Sequence, residues 1–99
     1  MAKFALCVEL KAKPGKESEV EEFLKKEAGL VSGEPGTLTW CATKDEGEPG
    51  AYIIFDTFTD EAAREDHLAG EAGQELVDKA EELFSVAPKV HRLQVVAEK

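Results

Sequence analysis

Tyr52-Ile53-Ile54-Phe55-Asp56-Thr57-Phe58-Thr59-Asp60-Glu61-Ala62-Ala63-Arg64-Glu65-Asp66-His67-Leu68-Ala69-Gly70 is the stretch whose reading decides the fold. Residues 51–58 are nearly continuous in apolar and aromatic side chains, the composition of a central strand covered on both faces. Tyr52, Ile54, Asp56 and Phe58 fall on one side of that strand and Ala51, Ile53, Phe55 and Thr57 on the other, because successive strand residues point to opposite faces. Thr59 or Asp60 then offers a side-chain oxygen to a free amide of a first helical turn. The helix that follows, to Ala69, carries His67 back over the sheet. A strand running directly into a helix, with an acidic residue at the strand end and an imidazole on the helix, is where chemistry is expected.

The remaining elements fall into place around it. Residues 3–11 alternate, with Phe4, Leu6, Val8 and Leu10 on one face and Ala5, Cys7 and Glu9 on the other, the period of a first strand. Pro14-Gly15 makes a turn, and residues 16–31 place Val20, Phe23, Leu24, Ala28 and Val31 at helical spacing. Glu17, Glu19, Glu21 and Glu22 crowd the early turns, where the helix dipole favours negative charge. Ser32-Gly33-Glu34-Pro35-Gly36 ends that helix. Residues 37–44 form a second strand with Leu38, Trp40 and Ala42 on its apolar face, and Asp45 to Gly50 makes a loop back to the central strand. After Ala69, Gly70 and Gly73 loosen the chain before Leu76, Ala80, Leu83 and Phe84 resume a helical stripe, giving one bent helix or two short ones. Beyond Pro88, residues 89–97 alternate as a last strand with His91, Leu93, Val95 and Ala97 on one face. The order strand, helix, strand, strand, helix, strand is a split β-α-β arrangement, an α+β domain over residues 1–99 with a four-stranded antiparallel sheet and both helical regions on one side.

Composition narrows the function. At 99 residues the chain fits one domain whose own interior yields a modest gain. Its formal charge of -9 argues against nucleic acid and against an anionic membrane surface as partners. No apolar run is long enough for a membrane span and no secretory h-region opens the sequence, so a cytoplasmic location is expected. Cys7 and Cys41 lack the paired spacing of a zinc or thioredoxin-type site and are expected as reduced thiols packed like small hydrophobes. His91 stands mid-strand without ligand partners, and no metal is expected in a chain with two dispersed histidines. With both helical regions on one sheet face, the other face would leave Ile53 and Phe55 in water. A second copy laying its own sheet on it is the simplest cover, and a two-fold homodimer is expected.

The Lys13-Pro14-Gly15-Lys16 turn before a Glu-rich helix, the Glu34-Pro35-Gly36-Thr37 loop into a strand with Trp40, the Phe55-Asp56-Thr57-Phe58 strand end, the residue 63–68 helix with His67, and the closing Val95-Val96-Ala97-Glu98-Lys99 together resemble the antibiotic biosynthesis monooxygenase domain. The resemblance covers nearly the whole chain. It implies a ferredoxin-like dimeric α/β barrel. It also implies a group that includes cofactor-independent oxygenases of phenols or anthrone-like aromatics, quinol oxidases, heme-degrading enzymes and small proteins with no known activity. Heme-degrading relatives use an asparagine in the first strand and a tryptophan after the third; this chain has no asparagine and has Phe58 in the tryptophan's place, which disfavours heme degradation.

For oxygenation without cofactor, His67 is the preferred base, since its ordinary pKa suits proton abstraction near neutrality. Asp56 would orient that imidazole or hold it protonated, and Arg64 would steady a developing phenolate. Trp40, Tyr52 and Phe58 would supply aromatic walls for a small aromatic molecule. Each also has a structural reading: His67 as a packed polar residue, Arg64 in a surface ion pair with Glu61 or Asp60, Trp40 as core or dimer contact. The second functional class is a non-enzymatic dimeric small-molecule binding or assembly domain of the same fold.

Overall fold

The computed structural model describes residues 2–99. Strand β1 (Phe4–Lys11), helix α1 (Glu17–Val31), strands β2 (Thr37–Lys44) and β3 (Ala51–Phe58), helices α2 (Glu61–Ala69) and α3 (Glu71–Leu83) and strand β4 (Lys89–Gln94) follow in order. The sheet order is β2-β3-β1-β4 and every pairing is antiparallel. This is the split β-α-β topology of an α+β domain, with β1 and β3 at the centre.

Alternation in the two central strands decides where the core lies. Leu6, Val8 and Leu10 of β1 and Tyr52, Ile54 and Phe58 of β3 are buried, and meet Val20, Phe23 and Leu24 of α1 and Leu83 and Phe84 at the end of α3. Each such large side chain contributes on the order of 2 kcal/mol by leaving water. Asp60 caps α2, its Oδ1 accepting from the Ala63 amide at 2.8 Å, which stabilises a short helix that has little else to start it. α2 and α3 are two helices rather than one bent one. Gly70, with extended backbone, ends the first and begins the second. Gly73 then lies so close to the Leu68 carbonyl that a Cβ there would collide with it.

β3 is covered on its helix face, and on the other Ile53 and Phe55 are 38% and 42% exposed in the single chain, as helices on one side of the sheet imply. Three expectations differ. Cys41 is exposed and Cys7 half-buried, because β2 is an edge strand and both thiols point to that open face. β4 ends at Gln94, short of Val95 and Ala97. His91 has a partner after all, its Nε2 lying 2.6 Å from Glu9 Oε2; Cys7 is the residue directly opposite His91, so Glu9 reaches it along the diagonal of the β1–β4 pair.

Candidate active site

The sheet's helix face and the α1, α2 and α3 surfaces enclose a mostly apolar cavity of about 330 Å³, walled by Leu6, Val8, Ile54, Leu76 and Ala80 among others. Three titratable side chains from three elements reach it: Glu27 of α1, Asp56 of β3 and His67 of α2. Trp40 of β2 closes one side.

Asp56 follows from strand parity. It shares the buried side of β3 with Tyr52, Ile54 and Phe58, and is 1% exposed. His67 is one turn beyond Ala63 and Arg64 on α2, is 8% exposed, and packs its ring on Phe58 with centroids 5.3 Å apart. Its Nε2 lies 3.1 Å from Asp56 Oδ2, pairing with that oxygen, while Asp56 Oδ1 has no hydrogen-bond partner. Its Nδ1 lies 2.6 Å from Glu34 Oε1. Glu34 is itself held by the Thr37 hydroxyl, which donates to the same oxygen at 2.8 Å. Glu34 reaches α2 because Gly36 lies against Ala63, with no space for a Cβ between them.

An imidazole clamped between two carboxylates has both nitrogens engaged. Burial works to lower the His67 pKa, but the Asp56 and Glu34 carboxylates outweigh it and hold the value above the ordinary one. Burial raises the Asp56 pKa, an effect that His67 partly offsets. The arrangement favours a protonated imidazole between two carboxylates, one of which, Asp56, keeps its Oδ1 unsatisfied at the wall of an apolar cavity. No group of three or more His, Cys, Asp and Glu side chains among the described residues is placed to hold a metal ion.

The other expected site residues are dispersed. Arg64 is buried, not a surface residue, and lies outside the cavity wall. Its guanidinium bonds the Leu93 carbonyl at 3.1 Å, pairs with Glu61 and Glu65, and sits over the Phe4 ring. Tyr52 lines an adjoining groove rather than the cavity, and its hydroxyl donates to Glu21 at 2.7 Å; burial and that carboxylate push its pKa up to about 12. Trp40 lines both spaces. Phe58 supports the His67 ring from the core.

Two residues escape the sequence reading. Glu27 occupies the apolar stripe of α1 with Val20, Phe23, Leu24 and Val31, and a carboxylate at that spacing is the signal that could have found it. Burial, with Glu75 nearby, pushes its pKa from 4.5 up to about 7. Glu34 carries no comparable signal, since a loop contact with a helix much later in the chain leaves no periodic trace.

Among known proteins, no curated protein matches this sequence. A solved structure of a protein of unknown function from Nitrosomonas europaea is 38% identical, with a TM-score of 0.94 over 100% of this chain and 94% of that one. A Pseudomonas aeruginosa protein at 22% identity gives a TM-score of 0.84 over 98% of this chain and 97% of its own. A structure described as an antibiotic biosynthesis monooxygenase gives 0.83 at 20% identity, over 95% of this chain and 99% of that one. These last two likenesses concern the fold alone. The family model described as antibiotic biosynthesis monooxygenase matches residues 4–79. That match spans both central strands and every residue of the carboxylate–imidazole cluster, and by it the chain belongs to the antibiotic biosynthesis monooxygenase family.

Proposed function

We propose that this protein oxidises a small phenol, quinol or anthrone-like aromatic with dioxygen, without metal or flavin, in the cavity bordered by Asp56 and His67. The observation that carries the reading is the Asp56 carboxylate, 1% exposed and with its Oδ1 lacking a hydrogen-bond partner, at the wall of an apolar space. Buried polar groups in folded proteins are nearly always satisfied, and the exceptions commonly serve function. A substrate hydroxyl is the partner that would satisfy it.

In this scheme Asp56, not His67, takes the proton. The imidazole, protonated between Glu34 and Asp56, orients the base and supplies positive charge near the phenolate that forms. For a quinol, the first hydroxyl proton passes to Asp56 and the anion delivers two electrons, in single steps, to dioxygen. That proton and the second hydroxyl proton complete hydrogen peroxide, and the quinone is left. Arg64, tied to Leu93, Glu61 and Glu65, stabilises the α2–β4 contact in this scheme.

We further propose a homodimer formed through the open sheet face, where Ile53, Phe55 and Leu93 are exposed together, since an apolar patch of this kind marks an interface. Two free cysteines suit a reducing compartment such as the cytoplasm, and no helix of the described residues is long and apolar enough to cross a membrane.

The test is oxygen consumption by the purified protein over a panel of phenols, hydroquinones and anthrones, with thermal shift read in parallel. Uptake with at least one class is expected. Stabilisation by ligands with no uptake across the panel would instead support the binding-domain reading.

A further inference from the structure

Glu27 is a carboxyl of the cavity for which proton abstraction by Asp56 has no use. It is 3% exposed, its Oε2 has no hydrogen-bond partner, and it enters from α1 while Asp56 and His67 enter from β3 and α2. Most of the wall around it is apolar. A carboxyl in such a place is costly unless a polar atom meets it, and the protein supplies none to Oε2. The charges nearby define what that atom can belong to. Glu34 and Asp56 flank a single imidazolium, so the cluster already carries an excess negative charge, and ionised Glu27 adds another. An anion entering this space meets repulsion that its apolar walls do little to screen.

We infer that Glu27 is the specificity group of the cavity, its carboxyl hydrogen-bonding an oxygen of an uncharged hydroxy- or keto-aromatic ligand and turning away aromatic carboxylates. This rests on reading the cavity as the ligand site. A neutral Glu27 donates to a ligand carbonyl or phenolic oxygen, and an ionised one accepts from a hydroxyl, so an uncharged ligand is accommodated in either state. An aromatic carboxylate is tolerated only while Glu27 is neutral. Its ionisation, at about 7, is set mainly by burial, then by Glu75 of α3, with His67 of α2 and Lys26 of α1 opposing and Glu34 adding to the rise; Asp56 of β3 shares the cavity.

Calorimetric titration of the full chain with hydroquinone and with 4-hydroxybenzoate, at roughly pH 6 and roughly pH 8, tests it. The wild type should bind hydroquinone at both values, and 4-hydroxybenzoate about tenfold or more weakly at the higher one. Glu27→Gln, which keeps the shape and removes the charge, should lose most of that pH dependence and bind 4-hydroxybenzoate more tightly than the wild type at the higher pH. A variant that retains the full wild-type pH dependence would overturn the inference, as would a wild type that binds no hydroquinone at millimolar concentration or binds both compounds equally at the higher pH. Should the variant not fold, the wild-type comparison decides. Oxygen uptake is read separately. Glu27-dependent discrimination without turnover removes the oxidase reading alone, and turnover with discrimination unchanged in Glu27→Gln removes this inference alone.

Discussion

His67 and Asp56 depend on each other. Replacing His67 by Gln leaves Asp56 buried without its counter-charge, and removal of one partner from a buried pair costs about 3 kcal/mol. Chemical denaturation of His67→Gln should show that loss. The pH dependence has a defined sign. Because the folded His67 pKa is raised, its contribution is fully present below the ordinary value of 6.5 and is lost as pH rises through the folded one. Glu27 works against stability over a similar range: its neutral form is favoured in the folded state, so stability falls as pH rises from 4.5 toward about 7. Glu27→Gln should therefore be more stable than the wild type at roughly pH 8, by up to about 3 kcal/mol, and indistinguishable from it at roughly pH 4. Equal stabilities at both would contradict the burial of that carboxyl. Of these residues, His67 and Asp56 are legible in the sequence because strand parity and helix spacing put both on the inner side. The proposed exchange of roles between them is not, since it depends on Glu34, a loop residue brought to the far side of the imidazole by tertiary packing.

The elements that build the site meet at glycines. Gly36 brings the loop between α1 and β2 against Ala63 of α2, where an added Cβ would stand 2.5 Å from the Ala63 Cβ. Gly36→Ala should push that loop outward, draw Glu34 from His67 and lower stability by about 2 kcal/mol. The diagnostic readout is a lowered His67 pKa by NMR titration, because one of the two carboxylates that raise it moves away. An unchanged His67 titration would show that the loop is not what positions Glu34. The glycine-rich composition of this loop marks it as a break in the chain, but a close approach to a helix cannot be inferred from composition. The division at Gly70 is likewise visible only as a weakening of the helical pattern. The order of elements, by contrast, follows from periodicity alone, because each apolar stripe must face the one sheet.

For the whole molecule, Ile53, Phe55 and Leu93 leave an exposed apolar face on the sheet. This is legible in the sequence, where the apolar run of β3 reads as a strand covered on both faces while helices on one side alone leave Ile53 and Phe55 in water. Light scattering at micromolar concentration should give twice the chain mass, and Phe55→Lys should give the monomer mass with the fold intact by circular dichroism. A wild-type monomer would refute the dimer. The central claim concerns the cavity and its carboxylate. Asp56→Asn keeps the size of that side chain and removes its ability to take a proton. The deciding measurement is the rate of oxygen consumption by Asp56→Asn with the best substrate of the wild type, under conditions where both are folded. A fall of at least about a hundredfold is expected of a lost general base. A rate equal to that of the wild type would contradict the account.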